Sequence, residues 1–322
     1  MSENQKTIGL RTVFMGTATF AEKILSALIS ADYNIIGVYT QKDKKVGRKQ
    51  EVEEGAVKAI AEQNQIPVFQ PAKFDDEAIE ELRKMKPDLI IVAAYGKILP
   101  KETLKLPGFG AINIHPSLLP KFRGPSPIQN ALLEGESETG TTIMLMDEGM
   151  DTGDVLAQQK VIVSDHETYP ELLEKLAASS TQLLLETVPL WIERKIEPTK
   201  QDNLQATLCQ LIERQDGQII WSDEAQNIYN RYRALTPWPG VYTFWERNRY
   251  NFRLKLNKLN VIRQNPETTH TVGEVFEIGD NVGVQTDLGV IILEEVQLEG
   301  KNNAPIKEFL NGYPDFLGTV LK

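Results

Sequence analysis

Along the first two-thirds of the chain, apolar positions switch between two rhythms. RTVFMGT (11–17) is a β-branched run that stops at Gly16, while FAEKILSALIS (20–30) spaces Ile24, Leu25, Leu28 and Ile29 along one helix face. IIGVYTQ (35–41) predicts a strand, GAVKAIAEQNQ (55–65) a helix that closes before Pro67, and IPVFQ (66–70) a short strand. DDEAIEELRKMK (75–86) opens on acids and ends on bases, the order that the helix dipole favours. PDLIIVAAYG (87–96) is almost wholly apolar, as a central parallel strand covered on both faces must be, and GAINIHP (110–116) reads as another. TGTTIMLMD (139–147) and DVLAQQKVIV (154–163) read as further, antiparallel strands, and a long amphipathic helix over 168–193 closes the series. This alternation predicts a doubly wound, Rossmann-like parallel sheet.

After Glu193 the rhythm stops. ERKIEPTKQDNLQAT (193–207) is polar and aperiodic, and is expected to be a linker. Beyond it come the apolar GQIIW (217–221) and a helix in SDEAQNIYNRYRAL (222–235). Short strands with Gly and Asn turns then follow in VYTFW, FRLKLNKLNVI, VGEVFEIG, VGVQTD and GVIILEEVQ, closed by a helix in IKEFLNG. That pattern predicts a small OB-like β-barrel. The expected division is a catalytic domain over 1–192, a linker over 193–209 and a second domain over 210–322.

Composition narrows the function. At 322 residues the chain is longer than one core comfortably serves. MSENQKTIGLR lacks the basic and apolar segments of a secretory leader, no apolar run is long enough to span a membrane, and a single cysteine, Cys209, allows no internal disulfide framework. A cytoplasmic setting is expected. Three histidines, His115, His166 and His270, offer no metal-ligand spacing with that cysteine, so no metal is expected. A net charge of −10 argues against a generally basic coat, though not against a local basic patch. Nothing in the pattern demands more than a monomer.

Polar groups gather at predicted strand ends. Asn113 and His115 alternate in INIHP, so strand period two puts both on one face. Asp147 and Asp151 follow in LMDEG and GMDTGD. Each alone is explained by a turn or a surface hydrogen bond. Their joint occurrence at the lip of an α/β sheet, where such folds keep their chemistry, is what points to a site.

IHPSLLPKFRGPSPIQNALLEGESETGTTIMLMDEGMDTGDVL closely resembles the signature block of folate-dependent formyltransferases, with its ordered Asn-x-His, SLLP, RG-x-x-P and Met-Asp-x-Gly-x-Asp-Thr-Gly. The resemblance implies a catalytic triad of Asn113, His115 and Asp151, and folate contacts from Ser117, Leu118, Leu119 and Pro120. It also implies 10-formyltetrahydrofolate as formyl donor. Such a transfer passes through a tetrahedral oxyanion, for which Asn113 and an imidazole N–H of His115 are suitable donors. Asp151 would relay the amine proton and orient His115. No nucleophilic side chain is required.

The acceptor is suggested by three further stretches. VYTQKDKKVGRKQ (38–50) resembles the loop of the family branch that formylates methionyl-tRNA. That implies contact between the tRNA acceptor end and Arg48, with Lys45 and Lys49 on the same loop. Lys42, Lys49 and EVEEG depart from the branch's pattern. ALTPWPGVYTFW (234–245) resembles the branch's C-terminal Asn-Pro-Trp-Pro-Gly segment, with Thr236 in place of Asn. Between Tyr229 and Arg263 lie Arg231, Arg233, Arg247, Arg249, Arg253, Lys255, Lys258 and Arg263, interleaved with aromatics and opposed within the window by Glu246 alone. Basic groups of this kind neutralise phosphates, and Arg249 and Lys255 are candidate tRNA contacts. The plainer reading is an aromatic core with a wet basic face. A formyltransferase acting on a sugar-nucleotide amine is the alternative, with loop 40–50 as the discriminator. An RNA-binding module on an inactive scaffold would not need the triad. A dinucleotide oxidoreductase fails because Met15-Gly16-Thr17 supplies one glycine of the three required.

Overall fold

The structure is a computed structural model and describes residues 9–46, 51–268 and 270–322, leaving aside the side chains of 44–46 and 51–53. Two compact units emerge. The first holds the chain up to Pro127, then Glu138–Val163 and Leu173–Gln210; the second holds Ile128–Ser137, Ser164–Leu172 and Leu211–Lys322.

The first unit contains β1 (Thr12–Gly16), α1 (Thr19–Ser30), β2 (Ile35–Tyr39), β3 (Lys44–Val46), β4 (Glu51–Glu53), α2 (Ala56–Gln63) and β5 (Val68–Phe69). It continues through α3 (Asp76–Met85), β6 (Leu89–Ala93), α4 (Lys101–Leu104) and β7 (Ala111–His115). Helix α5 (Pro127–Leu133), which belongs to the second unit from Ile128 on, leads to β8 (Glu138–Leu145), β9 (Val155–Ile162) and α6 (Tyr169–Ile192), the last in the first unit from Leu173 on. Among the described residues seven strands form one sheet in the order β5-β2-β1-β6-β7-β8-β9. Pairing is parallel from β5 to β7 and antiparallel for β8 and β9, as the sequence predicts. Strand β6 is buried at every position, which is what its apolar run requires. Helix α1 buries Phe20, Ala21, Ile24, Leu25 and Leu28, and α3 is capped by Asp75, whose carboxylate accepts from the Ala78 N–H.

Strand order reverses between β1 and β6, and it is at the carboxyl ends of strands beside such a reversal that α/β sheets bind ligands. Strand β7 is the next strand over, and it ends on His115.

The second unit contributes α7 (Ala225–Leu235), β10 (Val241–Arg247), β11 (Tyr250–Ile262), β12 (Val275–Ile278), β13 (Asn281–Gln285), β14 (Val290–Leu298), β15 (Ala304–Pro305) and α8 (Ile306–Gly312). The sheet order is β10-β11-β14-β13-β12, all antiparallel, with β15 beside β14. Residues 318–322 join the two outer edges. Phe244 and Lys322 exchange backbone hydrogen bonds of 2.9 Å each, while Val275 N–H donates to Thr319 O at 2.9 Å and Leu321 N–H to Gly273 O at 2.9 Å. The sheet thereby closes on itself. Trp245, fully buried, packs edge-on against Phe309, Tyr313 and Phe316.

Three features differ from the sequence reading. Short helices α4 and α5 were not expected. GQIIW, for which no element was predicted, makes one isolated bridge, from Gln218 to Tyr242. Residues 41–53 contain the β3–β4 hairpin. The stretch expected as a linker is counted with the first unit, where Thr199 pairs with Val155 and Leu208 with Arg123. Its order comes from hydrogen bonds and not from an apolar face, so it leaves no periodic signal.

Candidate active site

Strand β7 supplies two of the three expected groups. Asn113 and His115 share a face, and β8 lies beside them with Met144 opposite Asn113 and Thr142 opposite His115. The third, Asp151, sits on the turn between β8 and β9 at φ +54°, a left-handed backbone that Asp adopts more readily than most side chains. The three meet. Asn113 Nδ2 donates to Asp151 Oδ1 at 3.3 Å, and His115 Nδ1 lies 3.6 Å from Asp151 Oδ2. The other oxygen contact is a backbone one: Gly124 N–H donates to Asp151 Oδ2 at 2.8 Å.

The imidazole is anchored at its far edge. His115 Nε2 is 2.8 Å from the Phe122 carbonyl oxygen, which can only accept, so Nε2 carries the hydrogen. The Nδ1 contact to Asp151 is too long for a hydrogen bond and leaves that nitrogen free to engage a reactant. His115 is 4% exposed, and the Asp151 side chain remains partly accessible.

Residues 199–209 fasten the loop that carries these contacts. Thr207 Oγ1 accepts from Phe122 N–H at 2.8 Å, Thr207 O from Arg123 N–H at 2.9 Å, and Arg123 O from Cys209 N–H at 2.8 Å. The Arg123 guanidinium, 6% exposed, donates to Gln201 Oε1 at 2.8 and 3.1 Å and to Asn203 Oδ1 at 2.9 Å. Gln201 Nε2 in turn donates to Asp151 O at 2.9 Å and Gly153 O at 2.8 Å. Sequence reasoning missed Gln201, Arg123, Phe122 and Gly124 as parts of the site. Only the RG-x-x-P block carried a signal for any of them, and polar side chains in an aperiodic stretch carry none. Cys209 is buried beside the loop, which pushes its thiol above the ordinary range.

The SLLP turn is committed to its own structure. Ser117 Oγ donates to Lys121 O at 2.6 Å, and Thr142 Oγ1 both donates to Ser117 O at 2.7 Å and accepts from Leu119 N–H at 3.0 Å. Ser117 and Leu119 are buried, while Leu118 and Pro120 are partly exposed. Asp147 takes the plain role of a turn residue, accepting from Gly149 N–H at 3.0 Å and Thr152 Oγ1 at 2.7 Å. Among the described residues no group of three or more His, Cys, Asp or Glu is placed to hold a metal ion.

The expected nucleic-acid contacts fare unevenly. Arg48 and Lys49 lie outside the described residues, and Lys45 falls on β3, where side chains are not described. Within the second unit, acids distant in sequence neutralise much of the basic window. Arg247 pairs with Asp315, Lys258 with Glu294 at 2.9 Å and Arg263 with Asp165 at 2.8 Å. Arg233 is buried, donating to the carbonyls of Ser164 and Glu167 and to Asn230 Oδ1. The guanidinium of Arg253 lies 3.6 Å over the ring of Tyr242. Arg249, at the β10–β11 turn, is exposed, and Lys255 stands opposite Tyr242 on β11. Among the described residues neither forms an ion pair.

Comparisons with known proteins converge. The formyl transferase family matches residues 10–188, and the formyl transferase C-terminal domain matches residues 211–314. The methionyl-tRNA formyltransferase of Caldicellulosiruptor saccharolyticus is 42% identical over 313 residues, covering 96% of this chain and 99% of that protein. The methionyl-tRNA formyltransferase of Citrifermentans bemidjiense is 40% identical over 308 residues, 95% of this chain and 94% of that one. In fold, the chain is similar to HypX from Aquifex aeolicus in complex with tetrahydrofolic acid, with a TM-score of 0.63 at 17% identity, covering 96% of this chain and 48% of HypX. It is also similar to the N-formyltransferase from Helicobacter canadensis in complex with folinic acid and dTDP-3-aminofucose, with a TM-score of 0.63 at 19% identity, covering 88% of this chain and 98% of that one.

Proposed function

The chain belongs to the formyl transferase family, and from that membership we propose that it transfers the formyl group of 10-formyltetrahydrofolate to the free amino group of initiator methionyl-tRNA. The observation that carries the chemistry is the meeting of Asn113, His115 and Asp151 within hydrogen-bonding or near-bonding distance. The acceptor is supported by similarity to methionyl-tRNA formyltransferases over nearly the whole chain, second unit included.

In the proposed reaction the amine nitrogen attacks the formyl carbon, giving a tetrahedral centre with a negative oxygen. The second hydrogen of Asn113 Nδ2, not used on Asp151, donates to that oxygen. A hydrogen on His115 Nδ1 does the same. Its Nε2–H stays on the Phe122 carbonyl, and the Asp151 carboxylate lies beside Nδ1. Asp151 accepts the amine proton, directly or through water, and passes it to the folate nitrogen as the carbon–nitrogen bond to the folate breaks. The turn Ser117–Pro120 borders the donor, with backbone groups and the accessible Leu118 and Pro120 making the contacts. The loop carrying Lys45, Arg48 and Lys49 meets the acceptor end, and the OB-like second domain holds the body of the tRNA through Arg249 and Lys255. No metal takes part, so a zinc-selective chelator leaves the rate unchanged. The enzyme acts as a cytoplasmic monomer, and concentration-dependent sedimentation would argue otherwise.

The direct test is incubation with 10-formyltetrahydrofolate and charged initiator tRNA, scoring formyl-methionine. A chain that instead formylates an amino-sugar nucleotide would overturn the acceptor. Asn113→Ala, His115→Ala and Asp151→Asn are each expected to lower kcat about 100- to 1000-fold, the usual cost of losing one oxyanion donor, with the melting temperature retained. Turnover near that of the unmodified chain would remove that residue from the mechanism. Charge reversal at Arg249 or Lys255 is expected to weaken tRNA binding and lower its logarithmic salt slope by about one unit. An unchanged slope would take the patch out of the interface.

A further inference from the structure

We propose that Gln201 is a positioning residue that sets the catalytic carboxylate of Asp151, a role that rests on the formyl-transfer reading above. Its side-chain amide faces two ways. The Nε2 end donates to the carbonyls of Asp151 and Gly153, one residue either side of Thr152 on the turn that presents the carboxylate. The Oε1 end accepts from Nε and Nη2 of the buried Arg123 guanidinium, and Nη2 also donates to Asn203.

Arg123 fixes which way the amide points, because a guanidinium has donors only and must face the oxygen. The amide nitrogen is therefore committed to the turn. Asp151 occupies a left-handed backbone, and a bond to its own carbonyl holds the peptide plane that follows. Rotation of that turn would carry the carboxylate away from Asn113 Nδ2, Gly124 N–H and His115 Nδ1 together. Misplacement of a reacting group by about 1 Å can cost 100-fold in rate. Gln201 reaches the reaction only through Asp151.

Gln201→Glu separates positioning from folding. A glutamate keeps the volume and strengthens the Arg123 contact, but turns carboxylate oxygen toward two carbonyl oxygens. Expected are a fall in kcat of about 10- to 100-fold, KM values for both substrates within about threefold, and a chain that still melts cooperatively. In an Asp151→Asn background the same change should alter kcat less than about twofold, since coupled residues are not additive. A crystal structure of the variant should show the Asp151 carboxylate displaced from Asn113 and Gly124. If Gln201→Glu fails to fold, Gln201→Ala carries the same kinetic and structural expectations. A kcat within twofold of the unmodified chain, an equal loss in both backgrounds, or an unmoved Asp151 would each overturn the proposal. The structural arm needs no substrate. It therefore decides the role of Gln201 even if the unmodified chain forms no formyl-methionine, an outcome that would count against the function and not against the positioning.

Discussion

Two glycines hold the site together through what they lack. A side chain at Gly153 would place its Cβ 1.7 Å from the Leu145 carbonyl oxygen, and one at Gly124, where φ is +118°, would meet the Cys209 carbonyl oxygen at 2.4 Å. Both partners are backbone and cannot step aside. Gly153→Ala or Gly124→Ala is expected to cost about 2 kcal/mol, or about 4–8 °C in Tm, and to lower kcat because each loop contacts Asp151. Buried tyrosines contribute to the alkaline limit. Burial pushes the phenols of Tyr33 and Tyr95 up to about 12, against 10 in the unfolded chain. A raised value favours the protonated, folded form, so stability is intact below pH 10 and declines as pH rises from there through 12. Tyr95→Phe should flatten that decline, as its hydroxyl is buried without a partner among the described residues. Thermal melts between pH 8 and 11 check both statements.

The hairpin β10–β11 carries an arginine where its turn geometry favours another residue. Its two-residue turn, Asn248-Arg249, has φ of +52° and +66°, the geometry that twisted hairpins need and that Asn or Gly fits better than Arg. Arg249→Gly is expected to leave Tm unchanged or raise it while weakening tRNA binding, a divergence that melting curves and filter binding would reveal together. Elements with a strong apolar rhythm were legible in advance. Strands β1, β6 and β7 fall where their runs predicted, because a strand buried on both faces admits few polar residues. Helix α5 was not, since seven residues give a 3.6-residue period too little length to register. The triad was readable from strand parity and motif order. Gln201 and Arg123 were not, because a side-chain hydrogen bond across 78 residues leaves no trace in local spacing.

For the whole molecule, charge and closure are properties no window of sequence displays. Counting bases against acids between Tyr229 and Arg263 suggests an open positive face, yet Asp165, Glu294 and Asp315 come from elsewhere to quench three of them. What remains is a narrower field around Arg249 and Lys255, on a chain of net charge −10. On the proposed function, such a field would orient an approaching polyanion without attracting every one. The second unit's sheet is finished by residues 318–322, which span its outer edges at Phe244 and at Gly273 to Val275. Ribosomes deliver those residues after everything they tie down. While the nascent polypeptide is still emerging, β10 and β12 must wait with unsatisfied rims, able to pair with a neighbour on the same message. Deleting 318–322 would make that transient state permanent, and light scattering that rises with concentration would be its signature.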